Sequence, residues 1–267
     1  MAVPFDHIAS VYESVLSRSA MGQLQRKEVW KYLENVIPHL EGLEMLELNW
    51  GSNEDAMMFS DKGYNIIATD VSIEMAKVTQ EKAHPYSSVH NRISSQYLDL
   101  DCVNEILLDK KYDLIFSNFG GLNCISPESL KKFFAKLPTL LNPNGRFIGV
   151  IMTRFCMTEC LYHLIKFQFG KAFRRWSSKE VSVTIQDNIL KTWYYRPATL
   201  QKWATSYFNI VNVIPVGVVI PPMHLSSFFL RKKGMLLRLT NLENALSRNS
   251  FYAEVSDHFI LDLQLKN

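Results

Sequence analysis

Glu47-Leu48-Asn49-Trp50-Gly51-Ser52-Asn53-Glu54-Asp55 is the stretch that decides the fold. It follows a short apolar strand, Leu43–Leu48, and opens a segment carrying Ala56, Met57 and Phe59 that reads as a helix ended near Gly63. Strand, tight turn and helix in that order make the first unit of a βα repeat. A turn that lets its backbone approach a ligand needs glycine or a residue tolerant of positive φ. Here Gly51 is flanked two residues away by Asn49 and Asn53, and asparagine is the side chain that best tolerates the left-handed region. Asp70 stands 23 residues after Glu47, at the end of a second apolar strand spanning 64–69. An acid at that position meets ribose hydroxyls in nucleotide-binding folds.

The same rhythm continues outward. Ser72 reads as the N-cap of a helix running to about Ala83, and a strand near 91–98 precedes a short helix around 102–108. Tyr112–Ser117 is a fourth strand. Ser126-Pro127-Glu128 starts a helix with a cap, a proline in the first turn and an early acid. Asn142-Pro143-Asn144-Gly145 is a turn, and Arg146–Met152 a fifth strand. Before the first strand, Phe5, Ile8, Val11, Tyr12 and Val15 recur at helical spacing, as do Leu24, Val29, Leu33 and Val36 up to Pro38. After residue 153 the repeat is lost. An aromatic helix at 155–170, a hairpin over 181–195 turning at Asp187-Asn188, a helix at 198–206, a strand at 208–219 and a helix at 228–247 follow. Phe259–Leu265 alternates and closes the chain as a half-buried antiparallel strand.

The expected fold class is therefore α/β: a Rossmann-like, doubly wound, mostly parallel sheet with an antiparallel last strand, a helical N-terminal segment and a C-terminal cap insertion. The whole chain, 1–267, reads as one domain: N-terminal helices at 5–42, a ligand-binding core at 43–153, and cap and final strands at 154–267. Its composition of 47% hydrophobic and 21% charged residues supports an ordinary core. No apolar run approaches a membrane span. The N-terminus lacks the basic start and apolar stretch of a secretory leader, and four cysteines form no disulfide framework, so the expectation is cytoplasmic. Residues 1–154 hold 15 Lys and Arg against 19 Asp and Glu, and residues 155–267 hold 14 against 7. The basic residues are too dispersed to imply nucleic acid.

At this level the chain resembles class I S-adenosylmethionine-dependent methyltransferases, small-molecule members of the ubiquinone and menaquinone type in particular. Their first motif, acid-x-Gly-x-Gly-x-Gly, stands here as Glu47-Leu-Asn49-Trp-Gly51-Ser-Asn53. The resemblance continues through Ala68-Thr-Asp70-Val71-Ser72, Met75, Tyr97-Leu-Asp99-Leu100, Asn118-Phe119-Gly120 and Leu140–Gly145, and includes Phe5–Tyr12. It implies S-adenosyl-L-methionine as cofactor. Asp70 would take the ribose hydroxyls, with Val71 and Met75 packing on sugar and adenine. Asp99 and the backbone near Leu100 would meet the adenine. Glu47, Asn49, Gly51, Asn53, Asn118 and Phe119 would surround the methionine end, and Tyr12 would close over it. The expected reaction is methyl transfer to a small hydrophobic or aromatic molecule.

Two other readings belong beside this one: a catalytically degenerate binding protein that kept the fold, on the strength of Asn49 and Asn53, and a dinucleotide-dependent oxidoreductase. The latter needs G-x-G-x-x-G, whose last glycine falls on Glu54. The strand-four ending Asn118-Phe119-Gly120-Gly121 is not the Asn-Pro-Pro-Tyr of nucleobase amino methyltransferases, and no Pro-Cys nucleophile of the cytosine enzymes is present, so nucleic-acid bases are not expected substrates. For the acceptor side, His163 and His224 are candidate bases and Arg154 and His163 candidate substrate contacts. His258, beside Asp257, reads as structural. Cys156 and Cys160, four apart on a helix, read as packing, and no metal is expected. The sequence is silent on acceptor atom and oligomeric state.

Overall fold

The computed structural model describes residues 19–37, 41–49, 54–72, 92–105, 110–185, 188–222 and 233–266. In it, helix α1 (Ala20–Val36) precedes β1 (Glu44–Leu48), α2 (Glu54–Asp61), β2 (Asn65–Asp70), β3 (Ile93–Tyr97) and β4 (Tyr112–Ser117). Helix α3 (Pro127–Leu140) leads into β5 (Leu141–Met152). The strands order as β3-β2-β1-β4-β5, all parallel, and β9 (His258–Leu265) lies antiparallel between β5 and β8 (Phe208–Val216). Chain order reverses between β1 and β4. In open α/β sheets the crevice for a ligand forms at the carboxyl ends of the two strands flanking that reversal.

Side chains alternate into two cores, one on each face of the sheet. Met45, Leu114, Phe116, Ile148, Val150 and Ile260 pack with Val29 and Leu33 of α1 and Ala56 and Phe59 of α2. Leu46, Leu48, Ile115, Phe147, Phe259, Leu261 and Leu263 pack with Leu130, Phe133, Phe134 and Leu137 of α3 and with Leu200 and Ala204 of α6 (Pro197–Ala204). This double coverage is why the central strands read as short unbroken apolar runs. Helix α1 begins where the Ser19 hydroxyl accepts the Gly22 N–H at 3.1 Å.

The aromatic segment expected as one helix is split into α4 (Met157–Ile165), α5 (Phe169–Ala172) and a 3-10 turn at Arg174–Trp176. The break falls at Phe167, whose φ is +55°. Strands β6 (Val181–Ile185) and β7 (Asn188–Thr192) form the expected hairpin as a separate ribbon; its turn, 186–187, lies outside the described residues. Strand β8 stops at Val216 rather than 219. Gly217 turns left-handed there (φ +75°), and the Glu243 carboxylate of α7 (Lys233–Leu246) accepts the N–H groups of Gly217, Val218, Val219 and Ile220 in place of a ladder. The 142–145 turn sits inside β5 as an irregularity opposite Tyr112 and Leu114, with Asn144 left-handed.

The last strand corrects the sequence reading. Phe259–Leu265 alternates as expected, yet β9 is buried on both faces through Leu263. Its polar residues mark internal partners, not solvent: Asp262 pairs with Arg146 and accepts from Tyr32, and His258 lies against Asp257. The helices expected at 5–15 and after Ser72 lie outside the described residues. No helix among the described residues is long and apolar enough to cross a membrane.

Candidate functional site

Glu47 is the last but one residue of β1, buried, with its Oε2 shielded from solvent and unpartnered. Burial pushes its carboxyl well above the ordinary carboxylate range; Asp55 and Asp70 add to the rise and Arg26 opposes it. A buried acceptor left without a donor is costly, and a donor that reached it would relieve that cost.

Beside it, Asp55 in the first turn of α2 is a collecting point. Its Oδ2 accepts from Arg26 at 3.0 Å and from the Asn118 amide at 2.9 Å, and its Oδ1 from the Trp30 indole at 2.6 Å. Arg26 also lies 3.1 Å from Glu54, and its guanidinium stands 5.4 Å from the Phe119 ring centre. Helix α1 thereby ties the beginning of α2 to the end of β4. Asn118 is doubly used, because its Oδ1 accepts the Phe119 N–H at 3.0 Å. Phe119 and Gly120 both take positive φ, +40° and +79°, and turn the chain sharply over the crevice.

Asn49 does what a glycine would do here, adopting φ +56° at the end of β1. Its side chain turns to β4, where its Oδ1 lies 3.3 Å from the Ser117 hydroxyl. Gly121 makes room for it: a Cβ on residue 121 would stand 2.3 Å from the Asn49 Cβ. The asparagine on one loop is thus matched by a glycine on the other.

Asp70 ends β2, and its Oδ1 accepts the Ser72 N–H at 2.8 Å, which orients the carboxylate at the sheet edge. Val71 follows it, half-buried. Asp99 accepts the Asp101 N–H at 2.8 Å through Oδ1, and Leu100 is buried behind it. Tyr12, Trp50, Gly51, Asn53, Met75 and His224 lie outside the described residues.

The acceptor-side candidates sit in the cap. Arg154 holds the Trp176 carbonyl with Nε and Nη2, at 3.0 and 2.7 Å. His163 is buried on α4, its Nδ1 2.8 Å from Gln168 Oε1. Reasoning from sequence passed over a network at the β5 and β9 end. Asp257 meets Arg175 at 2.8 Å, accepts from Gln25 at 2.9 Å and lies 3.3 Å from His258 Nδ1. Arg175 also pairs with Glu159 at 2.5 Å. Burial alone would raise the Asp257 carboxyl; His258 and Arg175 outweigh it and hold that carboxyl well below the usual range. The ligand atoms of Cys156, Glu159 and Asp257 lie within 4.8 Å of one another, but the Arg175 guanidinium already bonds both acids. The His258 ring meets Phe119 edge-to-face at 5.4 Å, which joins this network to the β4 loop. Nothing in the local sequence around Arg26, Gln25 or Asp257 signals these contacts, since each spans from about thirty to more than two hundred residues of chain.

Comparison with known proteins gives the same picture. The family model described as a methyltransferase domain matches residues 45–145. The chain is 24% identical over 151 residues to a demethylmenaquinone methyltransferase of Paenarthrobacter aurescens, covering 55% of this chain and 53% of that protein. It spans about half the length of the first curated relatives it matches. Among solved structures, the CcbJ methyltransferase of Streptomyces caelestis superposes with a TM-score of 0.63 at 14% identity, over 100% of this chain and 99% of that one. A glycopeptide N-methyltransferase, MtfA, complexed with S-adenosyl-L-homocysteine superposes with a TM-score of 0.56 at 14% identity, over 97% and 96%.

Proposed function

We propose that this chain, whose residues 45–145 match the family model described as a methyltransferase domain, binds S-adenosyl-L-methionine and transfers its methyl group to a small hydrophobic or aromatic acceptor. The observation that carries the reading is Glu47, a buried carboxylate with an unpartnered oxygen at the sheet reversal. With Asp55 and Asp70 it makes that edge rich in acid, which suits a ligand bearing an ammonium and a sulfonium. Glu47 would receive the amino group, Asp70 the ribose diol, and the Asp99–Leu100 corner the adenine. When bound, the cofactor supplies an electrophilic methyl on a cationic sulfur. The protein aligns the acceptor and keeps water out.

On the acceptor side, Phe119, Phe155 and Trp176 would give an apolar surround; Phe155 and Trp176 pack at 5.6 Å between ring centres. The relative named for demethylmenaquinone is compatible with an apolar ring as acceptor. His258, braced by Asp257 and touching Phe119, is the imidazole we assign to proton removal where the acceptor is protonated.

The dinucleotide reading is disfavoured by α2 itself. Its first turn holds Glu54 and Asp55, so the helix N-terminus that would cradle a pyrophosphate already faces two carboxylates. Calorimetric titration of S-adenosylmethionine, its demethylated product and NADH tests the proposal. Dissociation constants of about micromolar order are expected for the first two. Flat titrations at millimolar ligand would overturn it, and binding without turnover on quinone-like or phenolic acceptors would favour the degenerate reading.

A further inference from the structure

The cap carries a feature the methyl-transfer site does not use. On α4 the inward face is Glu159, Cys160 and His163, all buried. The outward face is Met157, Leu161 and Ile165, spaced by four residues and exposed, which reverses the usual polarity of a surface helix. The chain then runs through Ile165-Lys166-Phe167-Gln168-Phe169-Gly170-Lys171 with every side chain exposed. Ile165 is 70% and Phe167 81% accessible.

Phe167 is anomalous in a second, independent way. The Gln168 N–H bonds the His163 carbonyl at 2.8 Å and the Phe167 N–H the Leu164 carbonyl at 2.9 Å. These are the two bonds of a Schellman cap, and Phe167 occupies its left-handed position at φ +55°. Glycine is the residue for that position. A phenylalanine there bears backbone strain, and its ring stands in solvent with no compensating contact among the described residues. That exposure suits a partner outside the chain.

The charge says which partner. From residue 157 to 179 the one acid, Glu159, is buried and paired with Arg174 and Arg175, while Lys166, Lys171 and Lys179 are exposed. The segment is open to solvent at its turn: a Cβ added at Gly170 would meet nothing within 4 Å. Exposed aromatics beside lysines fit an anionic surface with an apolar core. We propose that the segment carrying Leu161, Ile165, Phe167 and Phe169 inserts into the interface of an anionic lipid bilayer, with Lys166 and Lys171 on the headgroups. This stands independently of the methyl-transfer reading.

Flotation of the full chain with vesicles of phosphatidylcholine plus phosphatidylglycerol, against phosphatidylcholine alone, tests it. Binding to the anionic vesicles is expected, reduced at least about tenfold in Phe167→Gly/Phe169→Ser and by a similar factor in Lys166→Gln/Lys171→Gln. Phe167→Gly alone should raise the melting temperature while weakening vesicle binding, a split that a packing role would not produce. Wild-type protein that stays off anionic vesicles, or binding untouched in the Phe167/Phe169 variant, overturns the proposal. So does sedimentation showing a dimer that this variant dissolves, which would make a second copy the occupant.

Discussion

Two buried carboxylates on one edge of the same sheet meet opposite fates. Glu47, at the end of β1, has an oxygen with no donor, and its carboxyl is pushed up. Asp257, just before β9, is as buried, yet Arg175, Gln25 and His258 surround it and its carboxyl is held down. Burial raises both; the donors around each decide the outcome. Asp257 is satisfied from within and fastens the cap and α1 to the sheet. Glu47 has an oxygen that no group among the described residues satisfies. The difference separates an anchor from the group that we propose receives the cofactor.

Removing Asp257 from its buried network should produce the largest effect. Asp257→Ala leaves Arg175 buried without one of its two acids and is expected to cost about 3–5 kcal/mol of stability in chemical denaturation. Because its folded pKa is depressed, the contribution of Asp257 is present above the unfolded value near ~4 and is lost only as pH falls through the folded one. Acid titration of wild type against the variant should show the two curves converging well below pH ~4 and parallel above it.

At the open site the readout moves from stability to affinity. Asp70→Ala, with the fold retained by circular dichroism, should weaken S-adenosylmethionine roughly ten- to a hundredfold by calorimetry, the loss of charge-assisted hydrogen bonds. An unchanged constant would remove Asp70 from the site.

A steric test addresses the match between the two loops. Gly121→Ala drives a methyl into Asn49 and should cost about 1–3 kcal/mol. Adding Asn49→Gly should restore most of that loss, because the obstructing side chain is gone. A double variant no more stable than the single one would mean that the loops do not touch in solution.

The smallest stability change carries the sharpest contrast. Glu47→Gln should stabilise the ligand-free protein by about 1 kcal/mol at neutral pH while weakening the cofactor at least about tenfold. The sign follows from the raised pKa. Stability from the neutral carboxyl is full below the unfolded value of ~4.3 and is lost as pH rises through the folded one, so the variant's advantage should grow with pH. A Gln variant that loses stability instead would make Glu47 an anchor like Asp257.

Much of this was legible in the chain itself. The alternation of short apolar runs with helical periods required a doubly wound parallel sheet, and the Glu47–Asp55 turn with Asp70 marked its carboxyl edge, because strand, turn and helix signals are local. The left-handed Asn49 was legible for the same reason: asparagine is the side chain that survives there. What only the tertiary structure decided are the contacts that cross the chain. Arg26 reaches Asp55, Gln25 reaches Asp257, and His258 reaches Phe119, and each partner is chosen by how α1 and β9 lie on the sheet, not by its neighbours in sequence. Alternation in β9 revealed a strand but not the destination of its polar face, since an aspartate pointing at solvent and one pointing at a buried arginine have the same period. Whether a buried acid is anchored or open depends on which donors folding brings within about 3 Å, and that is set by packing over long chain separations.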